Sequence, residues 1–335
     1  MSIGWGIVGT GRHADKLMAP AIAQTDGARL VGVVSRSPER ARDFASRHGA
    51  SYGWTSYEDL LANPDVQVVL IATPNAQHYP QVLAAASAGK HVLCDKPLAL
   101  TSYEAADAVA ACRSAGVTLG IDFQMRHCAA FYDARQLIAS RAIGDVIAVH
   151  AEVSPGVNPL SGWRTDSALA GMGAVNNIAV HIYDLLRYVL EAEVVEVTAL
   201  FNTGKQPALE ELAMTLFRFD SGALAYVNAN QNVAFRQNDI SIYGTGGRIV
   251  GRNLTRHLEE GELQVVTADE DRVVPYSNAD AYTRVVLDMT RAVSEGKDPL
   301  ATGTDGLRSV QLTEAIARSA REGRLVVVDG ATQSH

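Results

Sequence analysis

The chain has 335 residues, 47% of them hydrophobic and 20% charged. That length exceeds one ordinary core and predicts about two globular domains. A net charge of −8 argues against a general nucleic-acid binder, and no apolar run reaches the ~18 residues of a membrane-spanning helix.

The opening MSIGWGIVGTGR has no basic stretch leading into a long apolar one, so no signal peptide is expected. Cys94, Cys112 and Cys128 are an odd set without metal-type spacing, which predicts free thiols and a cytoplasmic protein. Up to about residue 123, short apolar runs alternate with helical stretches. Ile3 to Val8, Arg29 to Ser35, Val66 to Ala72, His91 to Cys94 and Thr118 to Ile121 read as strands. Helices are expected over Ala14 to Gln24, Ser37 to His48 and Tyr79 to Ala88, and from Thr101 to about Gly116. Ser37 with Pro38 is an N-cap followed by a proline at the first helical position, and Thr101 with Glu104 is a capping box. Such alternation predicts a doubly wound α/β domain with a parallel sheet over 1–123.

From 124 to 335 the texture changes to a second domain of mostly antiparallel strands. Strand-like runs are Val146 to Val153, Val194 to Phe201, Glu211 to Phe219, Ala223 to Asn230, Asp239 to Tyr243 and Arg248 to Val250. The turns DSG (220–222) and GTGG (244–247) join some of them. Helices are expected near 129–140, 177–190, 279–294 and 305–321, with a short run at 325–328 closing the chain.

The first strand runs into GIVGTGRHA, a G-x-G-x-x-A pattern through Gly9, Thr10, Gly11, Arg12 and Ala14. Gly9 allows a tight turn, Gly11 lets backbone approach a pyrophosphate, and Ala14 permits close helix packing. An ordinary tight turn is the alternative, but the position after the first strand of an alternating domain favours a dinucleotide. The second strand ends in Ser35 and Arg36, with Arg40 one turn later, where an acid usually meets the ribose hydroxyls of NAD. A serine there removes repulsion of a 2′-phosphate, and an arginine fork suits it, so NADP(H) is favoured over NAD(H). The alternative is that both arginines are solvated.

Thr73, Pro74 and Asn75 follow a parallel strand at its carboxyl end, where open α/β sheets bind ligands. Lys96 follows the next strand on the same edge, and Pro97 is a candidate for a cis bond that aims it into a cleft. The other reading is a surface pair with Asp95, although adjacent strand residues point to opposite faces. In the second domain, Asn177, His181 and Asp184 stand at i, i+4 and i+7 of a helix and share one face. A lone histidine there is often structural; a polar stripe of three favours a binding site.

These segments together resemble the Gfo/Idh/MocA family of NAD(P)-dependent oxidoreductases. The resemblance is carried by GWGIVGTG, TPNAQH, the KP of CDKPLAL, GWR at 162–164 and HIYD within the helix. Within the family, KHVLCDKPLAL and GTGGRIVGRN resemble the branch of bacterial 1,5-anhydro-D-fructose reductases. The resemblance implies an N-terminal Rossmann domain and a C-terminal α/β domain whose large, open sheet joins copies into homodimers or homotetramers. It implies that Lys96 orients substrate and shares in proton transfer, and that His181 donates or accepts the substrate proton. Trp163 and Arg164 resemble a pair that reaches the cofactor, and Asn75 and His78 match a cofactor-side loop. The acid usual four residues before the histidine is Asn177 here, an amide that hydrogen-bonds a hydroxyl but holds no charge.

The expected substrate is a sugar, anhydro-sugar or cyclitol, with reduction of a keto-sugar such as 1,5-anhydro-D-fructose ranked first. One competing reading is an NAD-dependent glycosidase of the same fold, which Ser35 and Arg36 disfavour. Another is a non-catalytic dinucleotide-binding regulator, which Asn177 favours and Lys96 with His181 disfavours. No metal is expected, because no two histidines stand at i, i+4.

Overall fold

A computed structural model describes residues 2–203, 209–255 and 260–330. The chain divides into two units, Met1–Phe123 with Tyr282–Leu307, and Gln124–Ala281 with Arg308–His335.

The first unit is built on a six-stranded parallel sheet. Its strands are β1 (Ile3–Val8), β2 (Ala28–Val34), β3 (Tyr52–Trp54), β4 (Val68–Ile71), β5 (His91–Cys94) and β6 (Leu119–Ile121), in the order β3-β2-β1-β4-β5-β6. β1 and β4 are buried along their whole length, as strands covered on both faces must be. The expected helix starts are present: Ser37 accepts from the Arg40 N–H, and Thr101 and Glu104 cap each other reciprocally. Two elements escaped the sequence reading, β3 and the helix Tyr57–Ala62. β3 is three residues long with two of them exposed, so it carries no apolar alternation to detect.

The domain expected over 124–335 is interrupted. Helix Ala281–Glu295 packs Tyr282, Val285, Val286 and Met289 into the same core as Trp5, Met18 and Ile22. Past it, the Ile121 N–H donates to the Ala301 carbonyl at 2.9 Å. Residues 282–307 therefore fold with the first unit because their apolar face is buried there.

The second unit carries a nine-stranded, mostly antiparallel sheet. Its strands are β7 (Val146–Val153), β8 (Val194–Asn202), β9 (Leu212–Phe219), β10 (Leu224–Asn230), β11 (Ile240–Gly244), β12 (Gly247–Arg252), β13 (Glu260–Thr267), β14 (Asp271–Ser277) and β15 (Val326–Val327). The order is β14-β13-β12-β11-β7-β10-β9-β8-β15, with β7 and β10 a parallel pair. One face is buried against helices Ala129–Ala139 and Val180–Leu190 and against Leu312, Ala315 and Ile316 of helix Gly303–Glu322. The other face presents Leu200, Met214, Leu216 and Leu224, all exposed. β13 and β14 were missed because β14 is a largely exposed edge strand and β13 buries few residues. Among the described residues, no helix is long and apolar enough to cross a membrane.

Candidate functional site

In the first unit the strand register decides what meets. Val34 pairs with Val8, Val8 with Ile71, Ile71 with Cys94, and Cys94 with Ile121. The residues that follow these strands, Ser35, Gly9, Ala72, Asp95 and Asp122, therefore stand in one row along the carboxyl edge of the sheet.

At the head of that row, Gly9 has φ +105°, a region side chains other than glycine avoid, and a Cβ there would lie 2.6 Å from the Ala72 carbonyl oxygen. A Cβ on Gly11 would meet nothing within 4 Å, so open space lies against its backbone. Helical residues follow from Arg12, opening into a π-turn over Ala14–Met18. A glycine turn with open space before a helix N-terminus fits a dinucleotide pyrophosphate. Thr10 and the buried Ser35 lie hydroxyl to hydroxyl at 3.3 Å, while Arg12, Arg36 and Arg40 are exposed.

Two sequence candidates turn out to be tied into the protein. Thr73 donates its hydroxyl to Gln81 at 2.6 Å. His78 is fully buried, and its ring nitrogens meet the Pro97 carbonyl at 2.7 Å and the Thr73 carbonyl at 2.9 Å. The ring thus braces the loop after β4 against the turn after β5. Asn75 is buried in a short 3-10 turn beside it. The Lys96–Pro97 bond is cis, Lys96 is half-buried, and its backbone N–H donates to Asp95 at 2.8 Å.

Sequence reasoning passed over His13 and Asp122. They form an ion pair at 2.8 Å, with Asp122 only 1% exposed. Burial works against charge on His13, but Asp95 and Asp122 prevail and raise its proton affinity. Burial also raises that of Asp122, against the His13 bond. Donor atoms of His13, Asp95 and Asp122 lie within 4.8 Å of one another. These are ligand types, but the charge of Lys96 acts on both His13 and Asp122, and a metal would have to displace the bond between them. We assign none.

The second unit gathers the other candidates. A 3-10 turn, Gly162–Thr165, sets the Arg164 guanidinium 4.4 Å over the Trp163 ring. Arg164 donates to Asn177 Oδ1 at 3.2 Å, and Asn177 donates to Gln231. Asn177 lies in a π-turn, Val175–Ala179, that leads into helix Val180–Leu190 with His181. Glu210, which the sequence did not single out, seats that start: its carboxylate accepts from the Val175 N–H at 2.9 Å and its carbonyl from the Ala174 N–H at 2.7 Å.

The expected stripe of three divides. Asn177 and His181 are half-buried, whereas Asp184 is 1% exposed and takes two bonds from Arg126, at 2.8 and 2.6 Å. Helical spacing places Asp184 in line, but Arg126, 58 residues earlier in the chain, claims its carboxylate.

A parallel sheet with a glycine turn at the mouth of β1 defines a dinucleotide-binding protein of the Rossmann class. Residues 3–123 match the oxidoreductase family with an NAD-binding Rossmann fold, and residues 131–250 match the GFO/IDH/MocA C-terminal domain. The chain is similar to a 1,5-anhydro-D-fructose reductase of Ensifer adhaerens, 34% identical over 97% of this chain and 98% of that one. The structure is similar to an aldose-aldose oxidoreductase from Caulobacter crescentus complexed with glycerol (TM-score 0.90, 28% identity, 98% and 100% of the two chains). It is also similar to a levoglucosan dehydrogenase in complex with NADH and levoglucosan (TM-score 0.87, 26% identity, 98% and 100%). The chain belongs to the Gfo/Idh/MocA oxidoreductases.

Proposed function

We propose that this oxidoreductase uses NADP(H) to transfer a hydride between nicotinamide and a hydroxyl or carbonyl carbon of a sugar, anhydro-sugar or cyclitol, with reduction of 1,5-anhydro-D-fructose the leading case. The carrying observation is the single row along the carboxyl edge of the first sheet: Ser35, Gly9 and the Asp95–Lys96 turn, flush through the strand register. The substrate class follows from likeness to the reductase of Ensifer adhaerens. The bound cofactor supplies the hydride.

The chain's own residues do the rest. The turn from Gly9 to Arg12 seats the pyrophosphate; Ser35 and Arg36, with Arg40, receive the 2′-phosphate. Asn75 shapes the cofactor-side loop, and Thr73 and His78 act by bracing it. Trp163 and Arg164 contact the cofactor. Lys96, as ammonium, stabilises the negative charge that gathers on the carbonyl oxygen, and His181 delivers the proton. Asn177 contacts a substrate hydroxyl. Asp184 acts behind it by fixing Arg126. We further propose that copies associate as dimers or tetramers through the outer face of the nine-stranded sheet. Leu200 pairs with Met214 across β8 and β9 there, and Leu216 adjoins them.

The test is absorbance at 340 nm with NADPH or NADP⁺ against a panel of keto-sugars and polyols. Steady turnover is expected. His181→Ala should lower it about 10²–10⁴-fold, and Lys96→Ala by more, with cofactor still bound. Unchanged turnover in either variant removes that residue from the chemistry. Binding without turnover across the panel would assign the regulator, the reading that Asn177 favours. Glycoside cleavage without net cofactor change would assign the glycosidase.

A further inference from the structure

A guanidinium and two amides stand in line inside the second unit: Arg164, Asn177 and Gln231. Arg164 donates from Nε to Asn177 Oδ1 at 3.2 Å, and Asn177 Nδ2 donates to Gln231 Oε1. A guanidinium only donates, so this contact fixes which end of each amide faces which partner. Asn177 must turn its oxygen to Arg164 and its nitrogen to Gln231, and Gln231 must answer with its oxygen. Gln231 is 1% exposed, and the nitrogen left over is buried with no hydrogen-bond partner among the described residues. Its backbone is held from two sides: the N–H donates to the Glu211 carbonyl at 2.9 Å, and the carbonyl accepts from the Asn158 N–H at 3.0 Å. The neighbouring Glu210 accepts from Val175 and Ala174 and so seats the π-turn that carries Asn177. The dipeptide Glu210–Glu211 thus anchors both members of the amide pair.

We propose that Gln231 is the positioning residue for Asn177, fixing which way its amide faces and therefore how position 177 meets the sugar. This rests on the substrate contact proposed above for Asn177. A carboxamide can turn end for end about its last torsion, and its two orientations offer a hydroxyl opposite partners. With Arg164 donating on one side and Gln231 accepting on the other, only one orientation makes both bonds. The reversed amide would meet Arg164 nitrogen to nitrogen and Gln231 oxygen to oxygen. The observed order leaves a buried donor of Gln231 unpaired, which is unfavourable. An aspartate at 177 would remove that defect, because it accepts on both sides and Gln231 would turn its nitrogen inward. The neutral amide is present although it costs local stability, a pattern that marks functional positions.

Steady-state kinetics of the full chain, with NADPH and the keto-sugar of the panel that it reduces fastest, give the first test. Gln231→Leu should raise KM about two- to tenfold, the worth of one hydrogen bond, while kcat changes less. Gln231→Glu, which keeps an oxygen toward Asn177, should stay near the parent. Because Gln231 acts through Asn177, Gln231→Leu should add nothing to the KM of Asn177→Ala. A parental KM in folded Gln231→Leu, or a loss that adds to that of Asn177→Ala, overturns the proposal alone. A parental KM in Asn177→Ala instead removes the substrate contact, and the proposal falls with it. The second test needs no substrate. Asn177→Asp and Gln231→Glu should each fold, the first with a turned Gln231 amide, whereas the double variant sets two carboxylates face to face. Its melting temperature at about pH 8 should fall by more than the two single shifts together, and the excess should shrink at about pH 5, where a shared proton relieves the repulsion. Shifts that simply add show that neither side chain senses the polarity of the other, and overturn the proposal. Should the double variant fail to fold at either pH, the kinetic comparison decides.

Discussion

Replacing Asp184 by asparagine separates two roles that helical spacing alone does not. Asp184 is 1% exposed and bound through both oxygens by Arg126, itself 6% exposed; Arg187 stands 3.6 Å away. Arg187 is committed in turn to Glu193 by two bonds, at 2.7 and 2.6 Å. Asp184→Asn keeps the shape and leaves two guanidinium groups facing a neutral amide. Breaking one side of a buried pair costs about 3–5 kcal/mol. For a unit of about 150–250 residues each kcal/mol moves Tm by about 2–4 °C, so the variant should melt about 6–20 °C lower. Differential scanning calorimetry reads this directly. The double variant Arg126→Met/Asp184→Leu, which leaves neither charge of the pair buried, should recover much of the loss. An Asp184→Asn protein that melts like the parent but shows a raised KM for sugar would refute the reasoning and make Asp184 a substrate contact.

Four further outcomes follow from the geometry. Gly9→Ala forces a Cβ toward the Ala72 carbonyl at φ +105°; it should cost about 1–3 kcal/mol and weaken NADPH binding, read by urea unfolding and cofactor fluorescence, and parental behaviour in both would show that the turn tolerates a side chain. Arg36→Ala should weaken NADPH about 10–100-fold, the worth of one charge-assisted contact, and leave NADH unchanged; equal losses would remove the 2′-phosphate contact. Asp15 accepts from His48 at 2.9 Å and from Arg47; burial opposes its charge, but these bonds prevail and hold its carboxyl below the usual value of 3.8. A lowered value stabilises the fold above pH 3.8 and loses that stability as pH falls, so Asp15→Asn should unfold more easily at pH 7 yet lose less on acidification, measured by urea midpoints at both ends. Leu216→Glu, on the exposed face of the nine-stranded sheet, should lower the sedimentation coefficient in analytical ultracentrifugation if copies associate there as proposed, and an unchanged coefficient would refute association through that face.

Local chemistry was legible in the amino-acid order. The apolar runs of β1, β4 and β5, the Ser37 cap with Pro38 and the Thr101–Glu104 capping box each depend on residues a few positions apart. So does the turn from Gly9 to Arg12, whose conformation is set by what glycine alone tolerates. Lys96 and His181 were singled out because their neighbours in sequence are distinctive, and the same holds for Ser35 with Arg36.

What tertiary structure decided lies between residues far apart in the chain. Apolar periodicity says that a face will be buried, not against what: helix Ala281–Glu295 reads the same whichever unit it joins, and the core around Met18 and Ile22 claimed it. Polar residues carry even less, since one carboxylate looks like another until its partner arrives. Asp184 became half of a buried ion pair because Arg126 reached it, and Asp122 became a partner of His13 because four strands end in register. Partners of this kind are set by packing across tens to more than a hundred positions, a range over which no local spacing rule operates.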